Sequence, residues 1–246
     1  MKTKISLIIP CLNEEANILP TLARIAAIQP ADNPWEVILV DDGSTDRTAE
    51  LATRACRTYP WLKLVLHPRN MGLGAAMRTG FQHATGAIIC SMDSDCTFAP
   101  ERLPQLINLI HQGADIATGS PWHPGSTQGD VHPVRKALSQ SCSRLYRALL
   151  RSELHCYTSI FRAYRREVVE NIPVTSNGFV AVAEFLVAAL RAGYTVSEMP
   201  VRLDRRIHGE SKINVFASIK SHLRLMSRLA WMAWHPQGGS AVTGAH

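Results

Sequence analysis

An α/β protein built on a mostly parallel sheet follows from three observations along the chain. Short runs rich in Ile, Val and Leu alternate with helical patterns over the first half. The alternation has the spacing of βαβ units. Three of the runs end in acidic, polar clusters, which are carried to one rim of such a sheet. Lys4–Ile9 and Trp35–Val40 are the clearest strands, apolar enough to be buried on both faces. Leu62–Leu66, Ala87–Met92 and Ala114–Thr118 continue the series. Helical patterns fall near 14–28, 45–58, 74–85 and 100–112, with Ser44-Thr45-Asp46 and Pro100-Glu101 as starts. The second half is less regular, with helices expected near 134–151, 179–192 and 215–234. Ser120–Pro133, rich in proline and glycine and without periodicity, reads as a mobile loop of the kind that forms lids. Residues 236–246 read as a disordered tail.

At 46% hydrophobic and 19% charged, the 246 residues have an ordinary globular composition. No apolar run reaches the roughly 20 residues of a membrane span. Ile5-Ser6-Leu7-Ile8-Ile9 is too short for a signal peptide core, so a cytoplasmic protein is expected. Six cysteines without C-x-x-C spacing read as reduced thiols. The formal charge of +6 is uneven. Residues 1–129 carry ten Lys/Arg against twelve Asp/Glu, and residues 130–246 carry sixteen against eight. The basic half suits anionic partners such as phosphates or an acidic membrane face, or is a solvated surface.

The chemistry concentrates at the predicted strand ends. Asp93-Ser94-Asp95 closes the run Ala87–Met92. Two carboxylates emerging there suit a hard divalent cation that bridges protein and phosphates, or they are solvated loop charges. Asp41-Asp42-Gly43-Ser44 follows the second strand. A carboxylate here can accept hydrogen bonds from a base or ribose, although Asp, Gly and Ser also start helices. Asn70-Met71-Gly72-Leu73-Gly74 precedes a helix, where glycines allow close backbone approach and the N-terminus favours anions. The G-x-G-x-x-G nicotinamide fingerprint is absent, since Met77 takes the third position.

Taken together, Ile8-Ile9-Pro10-Cys11-Leu12-Asn13-Glu14-Glu15, Val40–Asp46, Asn70–Ala76 and Asp93-Ser94-Asp95 resemble, in order, the nucleotide-sugar half of family-2 glycosyltransferases. Gly178-Phe179, Glu184-Phe185-Leu186-Val187, Gly193-Tyr194, Glu198-Met199-Pro200 and Arg206-Ile207-His208-Gly209-Glu210-Ser211-Lys212 resemble the branch that includes dolichyl-phosphate mannosyltransferases and bacterial polyprenyl-phosphate glycosyltransferases. The resemblance covers about residues 4–229. It implies a GT-A (Rossmann-like) fold over 1–235, with a nucleotide-sugar half (1–119) and an acceptor half (120–235) that ends in an amphipathic helix. It implies an inverting transfer from a UDP- or GDP-sugar to a polyprenyl phosphate, with Mg2+ or Mn2+ as cofactor. Pro10, Leu12, Glu14 and Asp42 would border the nucleotide, with Gly74 at the anion-favouring helix start. Asp93 and Asp95 would touch the metal and diphosphate. Arg206 and Lys212 would engage phosphates, and Arg135 and Ser139 the acceptor phosphate.

Three departures fall outside the nucleotide core. Cys96-Thr97-Phe98 stands where the family often has Gln-His-Pro. Gly119-Ser120-Pro121 replaces Gly-Ser-Arg, and Cys156-Tyr157-Thr158-Ser159-Ile160 replaces Asp-Pro-x-Ser-Gly. They leave a soluble hydroxyl acceptor open beside the lipid phosphate. An ionised phosphate needs no general base, whereas a hydroxyl needs one. Glu184 is the candidate base, with a structural or metal-facing role equally open. In Val215–Trp234, Lys220, Arg224 and Arg228 share one helix face, and Phe216, Ile219, Leu223, Met226, Leu229, Trp231 and Trp234 supply apolar surface. That pattern suits peripheral membrane contact, or packing on the core or on a second subunit of a homodimer. A non-catalytic nucleotide-sugar-binding protein is the rival from another class. A nucleic-acid role is not expected, because the basic half lacks aromatic interleaving or a helix-turn-helix.

Overall fold

The computed structural model describes residues 3–127, 129, 133–204, 206 and 215–234, apart from the side chains at 134, 135, 215, 233 and 234. The chain runs β1 (Ile5–Cys11), α1 (Ile18–Ile28), β2 (Glu36–Asp41), α2 (Thr48–Thr58), β3 (Leu62–Leu66), α3 (Leu73–His83) and β4 (Ile88–Ser91). A 3-10 turn (Pro100–Arg102) leads into α4 (Leu103–His111) and β5 (Ile116–Ser120). Then come α5 (Pro133–Leu150), β6 (Arg162–Arg165), α6 (Arg166–Asn171), α7 (Val180–Arg191), β7 (Val196–Pro200) and α8 (Val215–Trp234). The expected tail at 236–246 and Lys212 lie outside the described residues.

Among the described residues, seven strands form one sheet in the order β3-β2-β1-β4-β6-β5-β7. All pairings are parallel except those of β6, which runs against both β4 and β5. Every residue of β1 and β2 is buried, as expected for strands covered on both faces. Leu7, Ile9, Val37 and Leu39 pack towards Leu22, Ile25, Leu103 and Leu106 of α1 and α4. Ile8, Ile38 and Val40 face Ala76, Met77 and Val182 of α3 and α7 on the other side. Helix α1 achieves this by burying Ile18, Leu22 and Ile25, spaced i, i+4, i+7.

Beneath the far end of the sheet, Glu36 ties three strands together. It accepts hydrogen bonds from Ser6 Oγ, Lys63 Nζ and the Thr85 backbone N–H. Burial pushes this carboxyl up, but those hydrogen bonds outweigh burial and hold it at about 2.

The sequence signals missed β6, α6 and β7. Strand β6, Arg-Ala-Tyr-Arg, lacks an apolar run, yet Arg162 is fully buried at its start. Its guanidinium donates to Thr118 Oγ1, Tyr157 O and Val182 O, so tertiary partners stabilise a strand that propensity does not favour. The described part of Ser120–Pro133 is tied down, with Ser126 Oγ donating to Ser120 O at 2.7 Å. Helix α8 buries Met226 and Leu229 in the second core and leaves Phe216 (87%), Leu223 (57%) and Trp231 (63%) exposed. One stripe of α8 thus packs on the protein while another apolar stripe, beside exposed Lys220, Arg224 and Arg228, faces outwards.

Candidate active site

The strand order reverses between β1 and β4, and the chain leaves both strands at the same rim. The loops after β1, β2 and β4 meet there. Asp41 Oδ1 accepts hydrogen bonds from the Ser44 N–H and Oγ, which closes the turn after β2. Gly43 occupies φ 77°, and a Cβ there would lie 2.3 Å from the Arg69 carbonyl carbon, so only glycine fits. The loop after β1 is fastened to that turn: Thr45 N–H donates to Asn13 Oδ1 (2.7 Å) and Glu14 N–H to Thr48 Oγ1 (2.7 Å). From α1, Thr21 Oγ1 donates to Ser94 O (2.7 Å) and fixes the Asp-Ser-Asp turn.

A cleft of about 230 Å³ opens over this rim, bordered by Pro10, Leu12, Glu14, Asp42, Asn70, Asp93, Asp95, Phe179 and Arg206. Six of the residues expected to meet the donor and its metal are therefore brought together, and Arg206 joins them from the C-terminal half. Its Nε donates to Asp95 Oδ2 (2.7 Å) and its Nη2 to Glu14 Oε1 (2.6 Å). Asp204 N–H, bonded to Thr97 O (2.9 Å), brings this segment onto the Asp-Ser-Asp loop. Burial lowers the arginine's hold on its proton, but the ion pairs with Asp95 and Glu14 outweigh it and raise the pKa above the ordinary value. Burial raises the Glu14 pKa, against Asn17 and Arg206, which lower it.

Asp42 serves the fold as well as the cleft. Its Oδ1 accepts from His67 Nδ1 (2.7 Å) and Met71 N–H (2.9 Å), and its Oδ2 from Gly72 N–H (2.7 Å). Both readings of the Asp-Asp-Gly-Ser turn thus describe one residue pair: Asp41 closes the turn, and Asp42 borders the cleft while holding the 67–72 loop. Gly74 does not border the cleft. Its N–H donates to Asn177 O (2.6 Å), and a Cβ would meet Ser176 O at 2.1 Å. The close backbone approach anticipated for Gly74 is made to the 176–177 loop.

Glu184 also lies away from the cleft lining. It accepts hydrogen bonds from Thr175 Oγ1 (2.6 Å) and Ser176 N–H (2.9 Å). Burial raises its pKa, but these bonds outweigh it and hold the carboxyl below its usual range. That favours the structural alternative, since a general base works best with a pKa near the operating pH.

A divalent cation fits the donor set. Asp93 and Asp95 are hard oxygen ligands, and a guanidinium already lies against Asp95. Among the described residues, no cluster of three or more ligating side chains forms a complete cage. Magnesium is commonly held by one or two carboxylates with substrate phosphates completing its shell.

Asp93, Leu73 and Phe179 border a second, larger cavity of about 700 Å³. Its walls are mainly apolar and come from α5 (Leu138, Leu145), the Thr158–Ile160 stretch and α8 (Ile219, Leu223, Met226). Ser139 lies in this wall and accepts a hydrogen bond from Trp122 Nε1 (3.0 Å). His222, also in the wall, bonds Tyr146 Oη through Nδ1 (2.9 Å), and burial lowers its pKa. Arg135 is in the first turn of α5, but its side chain lies outside the described residues, as does Lys212. Trp122, Thr158 and His222 were not singled out from sequence, because no motif marks a wall assembled from three separate segments.

This sheet order, with an acidic rim where the order reverses, defines a GT-A fold. The model of the family described as Glycosyl transferase family 2 matches residues 6–173, and the chain belongs to that family. It is 34% identical over 229 residues to a dolichol-phosphate mannosyltransferase of Pyrococcus furiosus, covering 91% of this chain and 64% of that protein's length. It is also 34% identical over 214 residues to a polyprenol monophosphomannose synthase of Mycolicibacterium smegmatis, covering 84% and 80%. Among solved structures, glucosyl-3-phosphoglycerate synthase of Mycobacterium tuberculosis, crystallised with Mn2+, UDP-glucose and phosphoglyceric acid, superposes with a TM-score of 0.72 at 22% identity, over 93% of this chain and 80% of that one. The same enzyme was crystallised with Mg2+ and UDP (TM-score 0.71, 23% identity, 93% and 80% covered).

Proposed function

We propose that the protein transfers a sugar from a UDP- or GDP-sugar to a polyprenyl phosphate, with inversion at the anomeric carbon. The observation that carries this reading is the apolar cavity that begins at Asp93. A lipid acceptor needs an apolar channel ending beside the leaving diphosphate, and the 700 Å³ cavity shares Asp93 with the donor cleft. The names of the two curated relatives point to the same acceptor class.

The donor's nucleotide lies along Pro10, Leu12, Glu14 and Asp42. Asp93 and Asp95 would hold Mg2+ or Mn2+ at the diphosphate end of the cleft. The metal, when bound, neutralises charge on the departing nucleoside diphosphate. Arg206 supplies a cation at the same place, and Lys212 and Arg135 are proposed to add further charge for the two phosphates. The acceptor phosphate is ionised at neutral pH and attacks without a base, consistent with a Glu184 spent on the Thr175 hydroxyl and the Ser176 N–H. Ser139 stands in the cavity wall, where it reaches the acceptor phosphate.

No described helix is long and apolar enough to cross a membrane. Contact with the bilayer is assigned to the outward stripe of α8, with Phe216 and Trp231 dipping in and Lys220, Arg224 and Arg228 meeting anionic headgroups.

The test is transfer of radiolabelled sugar from a panel of UDP- and GDP-sugars, mannosyl donors first, in the presence of a short polyprenyl phosphate. Label is expected to move into organic solvent, and only with divalent metal. Label that stays in water-soluble product, or that moves equally well with chelator, overturns the reading.

A further inference from the structure

The wall of the large cavity holds a chain of three neutral donors from three separate segments. Trp122 Nε1 donates to Ser139 Oγ at 3.0 Å, and Ser139 Oγ lies 2.9 Å from Thr158 Oγ1. All three residues border the cavity. An indole N–H donates and never accepts, whereas each hydroxyl donates one proton and accepts. Three protons therefore serve two bonds. Whichever way the Ser139–Thr158 bond points, one hydroxyl proton is left over. The only further hydrogen-bond partner of these side chains among the described residues is Cys156 Sγ, 3.9 Å from Thr158 Oγ1, and a thiol sulfur is a weak acceptor.

A surplus donor in a wall that also contains Asp93 suits an anionic oxygen. The buried guanidinium of Arg162 lies just behind, donating to Tyr157 O at 2.7 Å, and its partners among the described residues are three neutral oxygens. Glu198, which accepts from the Cys156 N–H at 2.9 Å, sets a buried carboxylate against that guanidinium, so the surplus hydroxyl proton carries the preference for an anion. Two of the three departures from the family pattern border this wall: Pro121, where an arginine is expected, precedes Trp122, and Cys156, standing for an aspartate, lies beside Thr158.

We propose that Trp122, Ser139 and Thr158 form a neutral donor relay that recognises an oxygen of the acceptor phosphate. The proposal rests on the polyprenyl-phosphate reading. It assigns Trp122 and Thr158 as specificity-determining residues, with Ser139 linking them. The relay orders its protons along one line, so each bond polarises the next. It distinguishes a phosphate from an alcohol by charge-assisted hydrogen bonding, which is stronger than a neutral bond.

Binding of farnesyl phosphate and of farnesol to the intact protein tests this by calorimetry, with wild type, Thr158→Val and Trp122→Phe. Thr158→Val keeps the shape of the side chain, and Trp122→Phe keeps an aromatic ring while removing the indole N–H. Wild type is expected to prefer the phosphate. Thr158→Val is expected to lose roughly tenfold or more of that preference, the usual scale for a hydrogen bond to a charged group. Trp122→Phe is expected to lose a smaller share, and farnesol affinity is expected to hold within about twofold in both. An unchanged phosphate preference in both variants overturns the relay while leaving the acceptor reading intact. Equal losses for phosphate and alcohol also overturn it, since they mark a reshaped cavity. Wild type that binds neither lipid overturns the acceptor reading itself.

Discussion

The two cavities that share Asp93 are built by different means. The donor cleft is assembled from short loops at the ends of β1, β2 and β4. Each loop is fixed by side chains bonding to nearby backbone, such as Asn13 to Thr45, Asp41 to Ser44 and Thr21 to Ser94. The acceptor cavity is assembled from α5, α8 and the 156–160 stretch, with apolar walls and few polar groups. Hydrogen-bonded loops tolerate few substitutions, because each lost partner strands a buried polar group. Apolar walls tolerate exchange of one large side chain for another. One site is thus constrained in chemistry and the other mainly in volume.

Substitutions sort the two sites by size of effect. Asp95→Ala removes a carboxylate from the diphosphate end and is expected to reduce transfer at least about 100-fold, the scale of one preorganised charge partner. Steady-state assays with and without chelator measure it, and circular dichroism confirms the fold. Appreciable metal-dependent transfer by this variant places the charge elsewhere.

Glu36 probes the rigidity beneath the donor half. Its carboxyl, held at about 2 against an ordinary 4.5, contributes stability that is complete above the unfolded value and is lost as pH falls towards about 2. Glu36→Gln is therefore expected to cost on the order of 3 kcal/mol at neutral pH and much less near pH 3. Urea unfolding at both pH values reads the difference, and a constant gap rules out this linkage.

On the acceptor side, Leu223→Glu places a charge in the cavity wall. It is expected to raise the KM for the lipid acceptor about fivefold, the scale of a leucine buried over less than half its surface, with nucleotide-induced thermal stabilisation unchanged. Equal damage to nucleotide binding would show that the two cavities are not separable. The smallest effect is expected from Glu184→Gln, a loss of transfer of under about threefold, against the 100-fold or more typical of removing a general base. A large loss with a shifted pH–rate profile restores Glu184 as a base and makes the acceptor a hydroxyl.

The same contrast explains what could be read in advance. The strand series through β5, the parallel sheet and the meeting of Glu14, Asp42, Asp93 and Asp95 were legible because apolar runs and turn residues are local signals. Even the arrival of Arg206 from the other half followed from its motif. Strand β6 was not legible, because Arg162 is stabilised in a strand by Thr118, Tyr157 and Val182 and not by its neighbours in sequence. Gly74 and Glu184 were assigned to chemistry because their motifs match, whereas both grip the 175–177 loop. The pairing of Trp122 with Ser139 joins residues 17 apart, and no periodicity announces it.

The reversed strand has a practical consequence. Because β6 runs against β4, with Ser91 opposite Arg162, the chain enters β6 at the active rim and leaves it at the far side. The 156–160 stretch thus reaches β6 from the same rim as the Asp-Ser-Asp turn, and Ser91 Oγ, donating to Ile160 O at 2.6 Å, ties it to β4. Its departures from the family pattern, Cys156, Tyr157 and Ile160, change side chains while the pairing of the sheet stays the same. A scaffold of this kind can acquire a new taste for acceptors without renegotiating its grip on the donor.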